Sequence, residues 1–294
     1  MGGVVSRVAI GLRTDGKRAL HQVGLATATA RPLPEFLVIG AKRGGTTSVW
    51  NYLLMHPQVL PMFPAREHRK STHYFFKSYS RGPLWYRSHF ATAASRCLVR
   101  WRLGVSPICG EASPYYLYHP FSPGRIQQLL PQVRAIVPLR DPVRRAYSNY
   151  WERFDQGVEP LSFEEALAAE PQRLARELER MNADPLYYSK AHDFFAYRDR
   201  GVYAPQLRRW LELFPREQLL VLRSEDFYSD PQQVFDEIVR FLGLRPYRLA
   251  SVPRLNYRPA RTMDPATRAE LQAFYRPHNE ELYELLGRDM GWEG

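Results

Sequence analysis

Short apolar runs alternate with amphipathic segments from Glu35 onward, and this alternation is typical of βα units around a mainly parallel sheet. The run Phe36–Ile39 is continuous, short and partly β-branched, as in a strand that is buried on both faces. A glycine-rich turn over residues 40–45 and a helix over Thr46–Met55 follow in the pattern. The sequence therefore predicts an α/β fold whose first unit is a strand, a glycine-rich turn and a helix.

Two further strands are predicted at Val133–Leu139 and Leu219–Leu222. Pro138 cannot donate a hydrogen bond to a neighbouring strand, so we expect it at the end of its strand or in a bulge. A helix around Gln206–Phe214 is expected before the last of these strands.

Capping residues mark three more helix starts. Asp141 and Asp230 are each followed by proline, which is the pattern of an N-cap and a first helical residue. Ser162 and Glu165 have the spacing of a capping box. Gly243 is the expected C-cap of the helix that begins after Asp230.

The chain divides into a basic extension, residues 1–34, and one domain, residues 35–294. The first part carries a single acidic residue, Asp15, and lacks the uninterrupted apolar stretch of a signal peptide. We expect it to be flexible. No internal repeat or polar linker interrupts residues 35–294, and the longest irregular insertion is predicted at 62–107.

The charge balance and the cysteine count narrow the class of protein. The 294 residues carry a formal net charge of +11, which favours an anionic partner such as a phosphate-bearing cofactor or an acidic polymer. Only Cys97 and Cys109 are present, so a disulfide scaffold and a cysteine-rich zinc site are excluded, although one disulfide between the two is still open. Free thiols, and no apolar run long enough to span a membrane, predict a cytoplasmic protein.

The turn after the first strand has the composition of an anion-binding cradle. Glycines allow a tight turn that points several N–H groups at one oxyanion, at the positive end of the following helix. Lys42 adds a full charge, and Thr46 and Thr47 add hydroxyl donors. A phosphate or sulfate group would fit there.

The order of residues in this turn differs from that of a nucleoside-triphosphatase loop. In such a loop the lysine follows the glycines and the next hydroxyl binds Mg²⁺. Here Lys42 precedes Gly44 and Gly45, and the chain has no clear acidic companion for a metal. A nucleotide kinase that uses ATP and Mg²⁺ is therefore disfavoured, and no metal is predicted.

Two segments resemble the cofactor motifs of sulfotransferases that use 3′-phosphoadenosine 5′-phosphosulfate (PAPS). Phe36-Leu-Val-Ile-Gly-Ala-Lys-Arg-Gly-Gly-Thr-Thr-Ser48 is similar to the family's 5′-phosphosulfate loop. Val137-Pro-Leu-Arg-Asp-Pro-Val-Arg-Arg-Ala-Tyr-Ser148 is similar to its 3′-phosphate motif, with Arg140 at a strand end and Ser148 about two helical turns later. Both motifs in this order are far more specific than either alone.

The resemblance extends over most of residues 35–294. It includes Lys70-Ser-Thr-His-Tyr-Phe75, Gly110-Glu-Ala-Ser-Pro-Tyr115, and Phe241–Leu244 and Leu286–Trp292, which look like the bacterial members related to heparan sulfate sulfotransferases. The resemblance implies a P-loop-like central parallel β-sheet flanked by helices, the sulfotransferase fold. It implies PAPS as co-substrate and a cofactor site formed by Lys42, Arg43, Gly44, Gly45, Thr46, Thr47, Ser48, Arg140, Ser148 and Arg258.

Lys42 is predicted to donate to the leaving phosphate oxygen, whereas the general base stays open. Many relatives have glutamate where this chain has Ser71, and a serine cannot act as a base unaided at neutral pH. Three residues are candidates: Glu111, His73 and Glu67. Each also has a purely structural interpretation, and geometry must decide before pKa does.

The acceptor is expected to be a carbohydrate hydroxyl. Basic and aromatic residues are interleaved over Arg66–Arg87, a composition that suits an acidic sugar but equally an ordinary surface. A second polar-aromatic group consists of Tyr187, Tyr188, His192, Tyr197 and Tyr203. A lipid or secondary-metabolite hydroxyl is the alternative acceptor. A nucleic-acid-binding protein is the alternative of a different class, disfavoured because the basic residues are dispersed.

Overall fold

The computed structural model describes residues 16, 18–250 and 261–292, and all structural statements concern these residues. Their strands are β1 (Phe36–Val38), β2 (Val59–Leu60), β3 (Ile108–Ala112), β4 (Arg134–Leu139) and β5 (Leu219–Arg223). Every pairing between them is parallel, and the strand order is β2-β3-β1-β4-β5. The predicted α/β class with a central parallel sheet is therefore confirmed.

The helices that connect and cover the strands follow in chain order. They are α1 (Thr46–Met55), α2 (Gly82–Arg87), α3 (Ala93–Leu103), α4 (Ser122–Leu129), α5 (Pro142–Asp155), α6 (Phe163–Leu174), α7 (Glu177–Ala183), α8 (Lys190–Phe194), α9 (Tyr203–Leu211), α10 (Asp226–Ser229), α11 (Pro231–Leu242) and α12 (Pro265–Leu286). In the described part of the chain no helix is long and apolar enough to cross a membrane.

The sheet has an apolar layer on each face because successive strand side chains point to opposite sides. Phe36 and Val38 pack with residues of α1 and α11. Leu37 packs on the other face with residues of α9 and with aromatic side chains from the segments around β3. Burial on both faces explains why the first strand is apolar at every position.

The predicted caps form. Asp141 Oδ1 accepts from the backbone N–H of Val143 at 2.9 Å at the start of α5. Ser162 and Glu165 exchange hydrogen bonds at the start of α6, as a capping box requires. Gly243 ends α11 with φ 70°, a conformation that glycine adopts without strain.

Pro138 is the penultimate residue of β4, as expected, and pairs with Leu222. Its carbonyl accepts from the N–H of Ala41 at 2.8 Å, just beyond the end of β1. In a strand, the N–H and C=O of one residue point to the same neighbour. The backbone nitrogen of Pro138, which has no hydrogen to donate, therefore faces the region just beyond the end of β1. No hydrogen bond between β1 and β4 is lost there.

A helix was expected around Gln206–Phe214. The observed helix, α9, begins and ends earlier, at Tyr203 and Leu211.

Cys97 is exposed and Cys109 is buried, and both are free thiols.

The described part of residues 1–34 packs against the domain. The expectation of a flexible extension did not foresee this contact. Residues 18–26 are helical and Ala28–Ala30 form a 3₁₀ turn. The Arg31 side chain is buried, donates to the carbonyl of Phe90 and lies 4.1 Å from the centre of the Phe63 ring.

Candidate active site

The turn after β1 is tied to the carboxyl ends of β4 and β5. Ala41 bonds to the carbonyl of Pro138, and the hydroxyl of Ser224 donates to the carbonyl of Gly44. A Cβ at Gly44 would lie 2.4 Å from the Pro138 oxygen, so only glycine fits there. Gly45 has φ 94° and forms the N-cap of α1. This is the crevice in which open α/β sheets bind ligands, between β1 and β4 where the strand order reverses.

The turn carries several hydrogen-bond donors. The first-turn N–H groups of α1 have no intrahelical acceptor and lie at the positive end of the helix. Thr46 is buried, and Ser48 is half-buried. Thr47 Oγ1 accepts a hydrogen bond from Lys70 Nζ at 2.7 Å. An anion could be held here by backbone amides, hydroxyl groups and cationic side chains together.

The two predicted cofactor segments adjoin in space. Arg43 Nε donates to Ser148 Oγ at 3.0 Å, although the residues are far apart in the sequence. Arg140 lies at the end of β4, is half-buried, and its carbonyl accepts from the hydroxyl of Tyr203 at 2.8 Å. The structure thus brings the predicted 5′-phosphosulfate loop, Arg140 and Ser148 to one edge of the sheet.

Glu152 binds both cations of the turn, and sequence reasoning missed it. Its Oε1 lies 3.1 Å from Arg43 Nη1, and its Oε2 lies 3.5 Å from Lys42 Nζ. Burial raises the pKa of the Glu152 carboxyl, but the attraction of Lys42 and Arg43 outweighs this cost and holds the pKa below its ordinary value. The signal was available, since Glu152 follows Ser148 by four residues and therefore shares its face of α5.

Lys42 is nearly enclosed, with 13% of its side chain exposed. Its ammonium lies 5.7 Å from the centre of the Phe194 ring. Burial lowers the pKa of Lys42 to about 7, helped by the positive charge of Arg200 and opposed by Asp193 and Glu152. A lysine in this state gains a proton when an anion arrives beside it.

Asp193 is a second acidic residue that the sequence did not place here. Its Oδ2 accepts from the hydroxyl of Tyr188 at 2.6 Å, and its Oδ1 lies 3.5 Å from the buried Arg200 Nη2. Burial opposes ionisation, but Arg200 and Lys42 outweigh it and keep the pKa of Asp193 below its ordinary value. No motif in the sequence linked α8 to the turn, so this contact could be found only in the folded chain.

His73 is exposed, and Ser71 orients it. Ser71 Oγ lies 3.1 Å from His73 Nδ1, which leaves Nε2 available to another group. Ser71 also bonds to the hydroxyl of Ser113. The surrounding protein lowers the pKa of His73, mainly through desolvation and partly through Lys77 and other cations. The imidazole is therefore neutral near pH 7.

Glu111 is fully buried on β3. Its carboxylate accepts from the N–H and hydroxyl of Thr72, at 2.7 and 2.8 Å, and from the hydroxyl of Tyr116 at 2.9 Å. Burial raises the pKa of Glu111 despite these donors. The contacts place Glu111 behind the segment that carries His73, where it fixes the backbone of Thr72.

Glu67 faces the N-terminal helical stretch. It accepts from Arg69 Nη2 at 2.9 Å and lies 3.2 Å from His21 Nε2. These partners, more than the cost of burial, lower the pKa of Glu67. The structure shows no contact between Glu67 and the turn among the described residues. Arg258, the last predicted cofactor residue, lies outside the described residues.

Of the second polar-aromatic group, Tyr188 lies nearest this crevice through its bond to Asp193. Tyr197 and Tyr203 are packing residues with almost no exposed surface. His192 is buried and bonds to Tyr115.

Comparison with known proteins agrees with this arrangement. The family model of the sulfotransferase domain matches residues 33–256. The human bifunctional heparan sulfate N-deacetylase/N-sulfotransferase 3 is 29% identical over 285 residues, which cover 88% of this chain and 30% of that protein. The mouse heparan sulfate glucosamine 3-O-sulfotransferase 6 is 29% identical over 301 residues, covering 93% of this chain and 79% of that protein.

A solved sulfotransferase from Alicyclobacillus acidocaldarius has a similar fold. It superimposes with a TM-score of 0.62 at 31% sequence identity, over 88% of this chain and 97% of the other. Because the family model spans most of the chain and this solved sulfotransferase shares its fold, this chain belongs to the sulfotransferase family.

Proposed function

We propose that this chain transfers a sulfuryl group from PAPS to a hydroxyl group of a carbohydrate. The observation that carries the proposal is the contact between Arg43 and Ser148, which joins the two motifs into one site. PAPS has an anionic group at each end of its ribose, and a site with cations and hydroxyls on both β1 and β4 can bind both. PAPS would supply the activated sulfuryl group.

The turn would hold the 5′ end, and the residues after β4 the 3′-phosphate. The first-turn amides of α1, with Thr46, Thr47 and Ser48, are suited to bind phosphate oxygens. Arg140 provides a planar guanidinium for the second phosphate, and Ser148 a hydroxyl donor. Lys42 would donate to the bridging oxygen as negative charge develops there, which stabilises the transition state more than the ground state.

We assign the base to His73 among the three candidates. Its ring is exposed and neutral near pH 7, and the Lys70–Thr47 bond holds the same segment against the turn. Glu111 is enclosed by its donors and would position this segment. Glu67 is engaged with His21 and Arg69. Ser71, which stands where many relatives have glutamate, would fix the imidazole through Nδ1.

A carbohydrate acceptor is supported by the side chains beside His73 and by the names of the relatives. The exposed Lys77 lies 5.2 Å from the centre of the half-buried Tyr188 ring. An aromatic ring and a cation of this kind suit sugar rings that bear acidic groups.

A thermal-shift titration tests the nucleotide part of the proposal. 3′-Phosphoadenosine 5′-phosphate should stabilise the fold by about 2.7 kcal/mol at a hundredfold excess over Kd, and ATP with Mg²⁺ should not. Arg140→Ala should lose most of this shift. Arg144→Ala is the matched control, since Arg144 lies four residues later, on α5, and its side chain is 61% exposed. A shift with ATP and Mg²⁺ alone would reject the proposal.

Transfer from ³⁵S-labelled PAPS to a panel of polysaccharides, lipids and phenols tests the acceptor. Label in the polysaccharide that survives the mild acid treatment that removes N-sulfate groups, and is therefore O-sulfate, supports the proposal. Label found only in a lipid or phenol would replace the carbohydrate with the alternative acceptor while leaving the cofactor assignment intact.

A further inference from the structure

Helix α3 exposes an apolar stripe to solvent. No residue of this helix is buried, and Leu98 and Trp101 are 60% and 81% exposed. Ala94 and Cys97 are also exposed. Positions 94, 97, 98 and 101 follow the three- and four-residue spacing that places side chains on one helical face. Large apolar side chains grouped on one outer face are uncommon on a soluble surface.

The opposite face of α3 holds the helix firmly on the domain. Arg96, Val99 and Leu103 are half-buried and share that inner face. Arg96 pairs with Glu35 and donates to the carbonyl of Leu33 at 3.3 Å. Arg245 Nη1 donates to the carbonyl of Leu103 at 3.3 Å. The helix therefore has a fixed orientation, and its apolar stripe is held outward.

The stripe is flanked by positive charge. Arg100 and Arg102 are exposed, and helical geometry places one on each side of the stripe. Residues 93–103 contain no acidic residue. Apolar side chains in the middle with arginines at both margins are typical of a helix that lies in the interface of an anionic membrane.

We propose that α3 docks this protein on an anionic lipid surface, with Leu98 and Trp101 inserted at the level of the headgroups. Tryptophan favours that depth because its ring is apolar and its N–H group polar. Arg100 and Arg102 would contact lipid phosphates while their methylene groups cover the apolar stripe. A second copy of this chain fits less well, because the same two arginines would face each other across the interface, in a protein whose net charge is +11.

Cys97 allows a direct test, because it is the exposed thiol on the stripe and Cys109 is buried with a raised pKa. An environment-sensitive dye attached to Cys97 should brighten and shift to the blue with phosphatidylcholine vesicles that contain phosphatidylserine. Pure phosphatidylcholine vesicles should give little change, and salt should reverse the signal. An unchanged dye signal on the anionic vesicles would overturn the proposal.

Co-sedimentation with unlabelled protein provides the second measurement. The double variant Leu98→Ser, Trp101→Ser should reduce partitioning onto the anionic vesicles by at least about tenfold. Leu84→Ser is the matched control, since Leu84 is 51% exposed but lies on α2, and it should bind like the parent protein. Equal binding of the double variant and the parent would contradict the proposal. So would vesicle-independent dimerisation, measured by sedimentation velocity, that the double variant abolishes.

The double variant should keep the thermal shift with 3′-phosphoadenosine 5′-phosphate, which shows that it is folded. Docking on lipid does not depend on the proposed reaction, and the two can fail separately.

Discussion

The proposed role of Lys42 in binding the nucleotide can be measured through its protonation. With a pKa of about 7, Lys42 carries its proton in about one molecule in eleven at pH 8. A phosphate placed beside the ammonium favours the charged form and moves the pKa back toward its ordinary value of 10.5. Binding of 3′-phosphoadenosine 5′-phosphate at pH 8 should therefore take up about 0.9 proton per site.

The affinity should follow the same linkage. The nucleotide binds the protonated form, so its binding free energy should be nearly constant below pH 7. Above pH 7 it should weaken, by about 1.4 kcal/mol for each further pH unit. The binding free energy stops weakening at the pH that equals the pKa of Lys42 in the nucleotide complex.

Isothermal titration in buffers of different ionisation enthalpy measures this uptake. Lys42→Met should abolish it and leave a weaker binding that varies little with pH. Lys190→Met is the matched control, because the Lys190 ammonium also lies 5.7 Å from the Phe194 ring but its side chain is exposed. Proton uptake near zero in the parent protein at pH 8, or the same uptake in Lys42→Met, would refute the reasoning.

Three other predictions concern the base, the turn and the fold. His73→Ala should lower turnover by about 10²-fold with nucleotide binding intact, and should remove the loss of rate that the parent shows as pH falls through the imidazole pKa. Gly44→Ala should abolish the nucleotide-induced thermal shift, because the added Cβ meets the Pro138 carbonyl, whereas Gly124→Ala, which has open space, should retain it. Ser162→Ala should lower the free energy of unfolding by about 1 kcal/mol in urea titrations, by removing a hydrogen bond of the capping box.

The sequence predicted the parts of the fold that depend on local pattern. The helix Thr46–Met55 begins and ends at the predicted residues. Its start is marked by the change from the glycine-rich turn to an apolar stretch. The caps at Asp141 and Ser162 are local hydrogen bonds, readable from a few adjacent residues. The strands β2 and β3 were missed. β2 has only two residues, which carry no usable period, and β3 contains Gly110 and the buried Glu111, which are not typical of a buried strand.

The residues of the candidate site that lie within sequence motifs were predicted. Those that reach the site only through packing were missed. The positions of Lys42, Arg140 and Ser148 follow from strand ends that a parallel sheet must bring to one edge. Asp193 meets this site only because α8 folds back over the turn, through contacts with no sequence period. The enclosure of Glu111 by Thr72 and Tyr116 likewise required the folded chain.

The Glu152 carboxylate bridges both cations of the turn. It acts as an internal counterion that holds Lys42 and Arg43 close to each other. If the proposed nucleotide binds Lys42 and Arg43, it competes with this carboxylate for the two cations, and the carboxylate can return when the spent nucleotide leaves. The same acidic side chain would then limit how tightly the product is retained, which would favour its exchange for a fresh donor.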